Sequence, residues 1–272
     1  MHSTITIMNA KGGVGKSTLT LTLAETLAAC HGKRVLVVDS DAHASVSTML
    51  MRPDWVQAIQ TQGRTMVDYF IAVVLKNEFV NWTAFVSGGV SDVDDARTVD
   101  LMTGGGHLTL FEREVSKEGL ESRLRHAVRS FLTEARNTYD FVFIDSAPGL
   151  SVLTECWLRE VDFFVSPSKP DYISTHGLQF LGQFSQRDSD MGFAECLGVI
   201  ISMKDINAFE DAQYERLVGI LVALRARYPI RAVAGHEHVA PGRKKDPGSG
   251  FDWAALRAAL RWQAARFPEA VR

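Results

Sequence analysis

The 272-residue chain is 46% hydrophobic and 22% charged, with a net charge of −3. That is enough apolar material for a large core in one domain or two, and the charge excludes bulk attraction to nucleic acid, so any such binding needs a local basic patch. Cys30, Cys156 and Cys196 form neither a disulfide framework nor a metal spacing, and no run approaches the roughly 18 apolar residues of a membrane span. They are read as buried fillers in a cytoplasmic protein without a secretory leader.

In chain order, Ile5 to Met8 is a short apolar strand, followed by a glycine loop and a helical pattern from Ser17 to about His31. Arg34 to Val38 is a β-branched run ending in Asp39, so the first fifty residues predict a strand, helix, strand unit with a parallel crossover. Val99 to Met102, Phe141 to Ile144, Phe163 to Val165 and Leu197 to Ser202 predict further strands, separated by helices such as Glu118 to Thr138 and Ser174 to Phe184. Continuous apolar strands between helices predict an α/β fold, a mostly parallel sheet covered by helices on both faces. Met51 to Thr98 is the least patterned stretch; Gly88-Gly89 and the acidic run Asp92 to Asp95 mark it as a surface excursion. There are no internal repeats.

Lys11-Gly-Gly-Val-Gly-Lys-Ser-Thr18 follows the first strand and opens the first helix, the context that separates a phosphate loop from a chance glycine turn. Gly12, Gly13 and Gly15 let the backbone, Val14 included, wrap close to an anion, with successive N–H groups and the helix start as donors. Lys16 is expected to neutralise the β and γ phosphates of a nucleotide, Ser17 to give its hydroxyl to Mg²⁺, and Thr18 to reach the α phosphate. In Val37-Val38-Asp39-Ser40-Asp41 a strand carries two carboxylates to its carboxyl end, where ligands bind in open α/β sheets.

Lys11 is not needed by an ordinary phosphate loop. With it, the segment resembles the deviant Walker motif of the ParA/MinD family of P-loop ATPases. The resemblance covers about residues 2 to 202. It implies that Lys11 reaches across a dimer to the partner's nucleotide, that Asp41 positions the attacking water, and that Asp39 lies near the Mg²⁺ shell. Tyr139 to Pro148 is similar to the family's Walker B strand, with Asp145 holding Mg²⁺ through water, and Pro167 to Asp171 is similar to a loop at the dimer face. The family usually places Pro-Gln after the second aspartate; here Ala42-His43 stands, and His43 is read as incidental.

The carboxyl-terminal stretch departs from that pattern. Met203 to Asn207 is a poor match to the base-contacting loop, so the adenine contacts stay unassigned. Phe209 to Trp253 instead resembles the end of the AmpD-type zinc amidases, whose zinc ligands match His236 and Asp246 and whose assisting lysine matches Lys244. A catalytic zinc needs three protein ligands and an open position, and the segment offers only these two, with His238 as a neighbour. The reading is therefore a P-loop ATPase domain over residues 1–206 and an amidase-like tail over 207–272 that packs on or completes it. The tail carries a charge of +4 against −7 for the rest, which makes Arg243, Lys244, Lys245, Arg257 and Arg261 candidates for DNA phosphate contact. Trp253, Leu256, Leu260 and Phe267 recur at helical spacing, as core packing or as a membrane helix.

The expected function is that of a partition or positioning ATPase. It binds ATP and Mg²⁺, forms a nucleotide-sandwich homodimer, binds DNA nonspecifically and segregates a plasmid, chromosome or protein cargo at the nucleoid, with weak hydrolysis stimulated by a ParB-like or other partner protein. Alternatives are a MinD-like ATPase on a membrane and a nucleotide-regulated zinc amidase.

Overall fold

Apolar runs with no polar face need cover on both sides, and in this chain they line up in one sheet. The computed structural model describes residues 2–169, 192–201, 217–219, 221–222, 232–235 and 251–267. The predicted helix from Ser174 to Phe184, the stretch Met203 to Asn207, and Arg243, Lys244, Lys245, His236, His238 and Asp246 lie outside the described residues. Among the described residues the strands are β1 (Ser3–Ile7), β2 (Val35–Ser40), β3 (Val86–Ser87), β4 (Val99–Met102), β5 (Phe141–Ser146), β6 (Phe163–Ser168), β7 (Glu195–Ile201) and β8 (Ala232–Gly235). They lie in the order β3-β4-β2-β5-β1-β6-β7-β8, all neighbours parallel except the antiparallel β3–β4 edge.

Alternation along the strands assigns each side chain to one of two cores. Ile7, Val35, Val37, Leu101 and Phe143 pack against α1 (Lys16–His31) and α2 (Ser45–Leu50). Leu36, Val38, Met102, Val142 and Ile144 face α6 (Glu121–Thr138) and α7 (Val152–Glu160). Helices thus cover both faces, as the continuous apolar strands predict. Glycines set the limits of α1: Gly15 precedes it at φ 93°, and Gly32 ends it at φ 59°, its N–H bonded to the Ala28 carbonyl.

Three expectations are corrected. Residues 51–98 are not an excursion: they form α3 (Pro53–Thr61), α4 (Met66–Phe70), a π-helical turn (Ile71–Leu75) and a 3-10 turn (Trp82–Phe85), with Met66, Phe70 and Val74 completely buried and Trp82 almost completely. These elements are too short to establish a visible period, although a capping box between Thr65 and Asp68 opens α4. The helix expected from Glu118 to Thr138 begins only at Glu121, because Gly119 at φ 65° stands between α5 (Leu108–Lys117) and α6. Cys30 is exposed, whereas Cys156 and Cys196 are buried.

The tail residues that are described belong to the same body. β8 pairs in parallel with β7, Gly198 opposite Ala232 through Ile201 opposite Gly235. On the last helix, α8 (Trp253–Leu260), Trp253, Leu256 and Leu260 are buried with Phe267 in the core that holds α6 and α7. The stripe of large apolar residues is therefore core packing. Among the described residues no helix is long and apolar enough to cross a membrane.

Candidate functional site

The glycine loop leaves the end of β1 and is pinned from below by a residue that the motif reading passed over. Asn9 is fully buried; its side-chain amide donates to the Pro167 carbonyl at 2.9 Å and its Oδ1 accepts the Lys11 N–H at 2.9 Å. The loop is thereby tied to both β1 and β6. Gly13 and Gly15 take φ 69° and 93°, conformations that cost a side-chain-bearing residue strain, and these turns bring the loop back over the start of α1. Lys16 is 7% exposed and donates from Nζ to the Lys11 carbonyl at 3.2 Å, so its ammonium folds back under the loop. Burial lowers its pKa, opposed by the charges of Asp145 and Asp41. Lys11, Ser17 and Thr18 are half-buried around the same turn.

Adjacent parallel strands set two carboxylates side by side, Asp39 on β2 opposite Asp145 on β5. Both project to the face that carries α1, which is why Thr20 of that helix donates its hydroxyl to Asp145 Oδ1 at 3.2 Å. Asp145 Oδ2 is buried and has no hydrogen-bond partner among the described residues. Asp39 differs: its Oδ2 accepts the Ser47 hydroxyl at 2.6 Å and the Ser47 N–H at 2.9 Å, and its Oδ1 accepts the Asp41 N–H at 3.1 Å. Burial raises the pKa of both carboxyls, and the charge of Asp39 raises Asp145 further. An acceptor kept dry, unpartnered and next to a second carboxylate fits a hydrated cation, which would relieve both its missing hydrogen bond and its repulsion. Lys16, Asp39, Asp41 and Asp145 thus converge, although they span more than a hundred residues of chain.

Two further residues of this site escaped the sequence reading. Ser47, on α2, anchors Asp39 and in turn accepts the Gly104 N–H at 3.1 Å. Gly104 follows β4, and a Cβ there would lie 2.9 Å from the Asp39 carboxyl and 2.9 Å from the Asp41 carbonyl oxygen. The Gly104-Gly105-Gly106 run was the available signal, since three glycines after a buried strand mark a close approach of backbone. Gly104→Ala is expected to push this loop off Asp39, destabilising the fold by about 1–3 kcal/mol and slowing hydrolysis. Thermal unfolding together with the steady-state rate checks it, and an unchanged melting temperature counts against the contact. Of the tail candidates, Arg257 and Arg261 stand on or beside α8, with Arg261 exposed at its carboxyl end in the left-handed conformation at φ 52°.

Residues 2–190 match the family profile for an AAA domain. A ParA family protein of Chlamydia muridarum is 30% identical over 218 residues, covering 79% of this chain and 77% of that protein. The chain belongs to the ParA family. The chromosome partitioning protein ParA of Caulobacter vibrioides is 30% identical over 204 residues, 74% of this chain and 69% of the relative. The amidase-like stretch has its own counterpart: the 1,6-anhydro-N-acetylmuramyl-L-alanine amidase AmpD of Citrobacter freundii is 45% identical over 64 residues, only 23% of this chain and 34% of the amidase.

Solved structures bear out the P-loop ATPase fold expected of a ParA family member. Apo McdA of Cyanothece superposes with a TM-score of 0.65 at 15% identity, covering 96% of this chain and 97% of that one. pNOB8 ParA bound to nonspecific DNA superposes at 0.60 and 20% identity, over 83% and 76%. Cobyrinic acid a,c-diamide synthase of Mycobacterium smegmatis with ADP and magnesium follows at 0.62 and 22%, over 85% and 84%.

Proposed function

We propose that the chain is a Mg-ATP-dependent partition ATPase that closes into a nucleotide-sandwich dimer, engages DNA nonspecifically through its basic tail and positions a plasmid, chromosome or protein cargo at the nucleoid of the cytoplasm. The observation that carries this is the convergence of the glycine loop and the buried Lys16 with Asp41 and Asp145 at the carboxyl ends of β1, β2 and β5. Backbone N–H groups of Gly12 to Gly15, with Lys16 and Thr18, hold the phosphates. Ser17 and Asp145 would hold Mg²⁺, and Asp39 would steady Asp145 rather than bind the ion, because three of its roughly four lone-pair positions are already taken. Bound Mg²⁺ supplies charge neutralisation on the β and γ oxygens. Asp41 orients the attacking water, and Lys11 of the opposing protomer meets the charge that develops on the transferred phosphate, so hydrolysis waits on dimerisation. Basal turnover is slow and a partner protein of the ParB kind accelerates it.

The tail acts as structure in this reading. β8 extends the sheet and α8 fills the core, so the amidase-like stretch completes the ATPase fold, with two amidase-type ligand positions and no zinc chemistry of its own. The large apolar residues of α8 are already buried, which favours DNA over a bilayer as the surface engaged. Asp41→Ala protein with Mg-ATP is expected to elute as a dimer in size-exclusion light scattering and to retain DNA at low salt. Each neutralised phosphate makes binding fall with salt, so retention at moderate salt should drop by at least about tenfold. A persistent monomer, or DNA binding indifferent to salt, overturns the proposal.

A further inference from the structure

We infer that His43 is a positioning residue for hydrolysis: its ring and its own N–H clamp one oxygen of the Asp41 carboxylate and leave the other oxygen to accept a hydrogen bond from the attacking water. This rests on the reading of Asp41 as the water-positioning group. His43 was read from sequence as incidental, and the structure gives it a specific contact. Asp41 stands one residue past β2, in a turn whose Asp41 carbonyl accepts the Ala44 N–H at 3.0 Å and in which Ala44 takes φ 50°. Within this turn Asp41 Oδ1 accepts the His43 N–H at 2.9 Å and faces the His43 Nδ1 at 2.9 Å. The backbone bond alone is an ordinary side-chain turn, which holds the carboxylate at one point and leaves it free to swivel.

The ring adds a second donor on the same oxygen. A neutral imidazole must carry its proton on Nδ1 to donate it, and an imidazolium donates there in any case. Among the described residues every hydrogen bond to this carboxylate falls on Oδ1, so Oδ2 is the oxygen left for water. The Asp41 side chain is 14% exposed while the His43 ring is 84% exposed. The ring therefore contributes no core packing, and its removal changes the orientation of Asp41 without disturbing the fold.

A hydrogen bond of this kind supports roughly a 3- to 10-fold effect on a rate that depends on the orientation it holds. Purified full-length wild type, His43→Ala, His43→Asn and Asp41→Ala are compared for Mg-ATP hydrolysis, for KM, and for binding of a fluorescent ATP analogue. His43→Ala is expected to lower kcat by about 3- to 10-fold with KM and analogue affinity unchanged within about twofold. His43→Asn, whose short amide reaches the same oxygen, is expected to restore most of the rate. A His43→Ala enzyme with wild-type kcat, a loss confined to KM, or no recovery in His43→Asn overturns the inference. Asp41→Ala separates the two claims: if that variant hydrolyses ATP at the wild-type rate, the water-positioning reading itself fails, and if it is inactive while His43→Ala is normal, only the role of His43 does.

Discussion

Lys16→Ala is expected to abolish saturable Mg-ATP binding and to lower hydrolysis by roughly 10²–10³-fold, the range for removing a preorganised group aimed at developing charge. The side chain is 7% exposed, and among the described residues its ammonium makes one hydrogen bond, to the Lys11 carbonyl. Burial disfavours that charge, and its pKa lies below the ordinary lysine value for that reason. A phosphate in the loop would supply the counter-charge that the carboxylates of Asp145 and Asp41 provide only in part, so binding energy is concentrated at this one group. The same argument limits the damage to the fold. Removing a buried, under-neutralised cation leaves the nucleotide-free protein with nearly its original melting temperature, so loss of binding with intact folding is the expected pair of results. Titration calorimetry with Mg-ATP reads the first and thermal unfolding the second. Wild-type affinity and turnover in Lys16→Ala would show that the loop is not a nucleotide site.

The second large effect has opposite signs for stability and function. Asp145 is pushed up to about 7 by burial and by the charge of Asp39, and Asp39 is pushed up to about 6 mainly by burial. Between the ordinary carboxyl range near 4 and these raised values, the folded chain holds more protons than the unfolded one. The free energy of unfolding therefore falls as pH rises through that window, and the nucleotide-free protein should be more stable at pH 5 than at pH 8 as far as this pair is concerned. Asp145→Asn removes the more strongly raised member while keeping an oxygen for the Thr20 hydroxyl. At pH 8 the variant is expected to gain on the order of 1–3 kcal/mol of stability and to lose Mg²⁺-dependent hydrolysis. For the wild type, Mg-ATP should raise the melting temperature more at pH 8 than at pH 5. An Asp145→Asn protein that melts lower at pH 8, or that hydrolyses ATP with undiminished Mg²⁺ dependence, contradicts this account.

The sequence by itself determined the chemistry that is contiguous in the chain. A phosphate loop is eight successive residues whose glycines, lysine and hydroxyls act through their own backbone, so Lys11 to Thr18 carried the site and its position between a strand and a helix. The strands that end in Asp39 and Asp145 were legible for a similar reason, since a fully buried parallel strand reads as an unbroken apolar run. Tertiary structure decided what depends on contacts between separate elements. Asn9 meets Pro167, Ser47 meets Asp39, and Gly104 lies against both Asp39 and Asp41, contacts with no local period or spacing. In α4 and the π-helical turn after it, Met66, Phe70 and Val74 recur four residues apart and pack with residues of α5, α6 and α7, but nearly every residue from 66 to 75 is apolar, so no polar face marks which side is buried. His43 is a local case, two residues from Asp41. Its identity looked like a departure from a familiar motif, and its contact with Asp41 exists because the turn after β2 bends back far enough for side chain and backbone to reach the same oxygen.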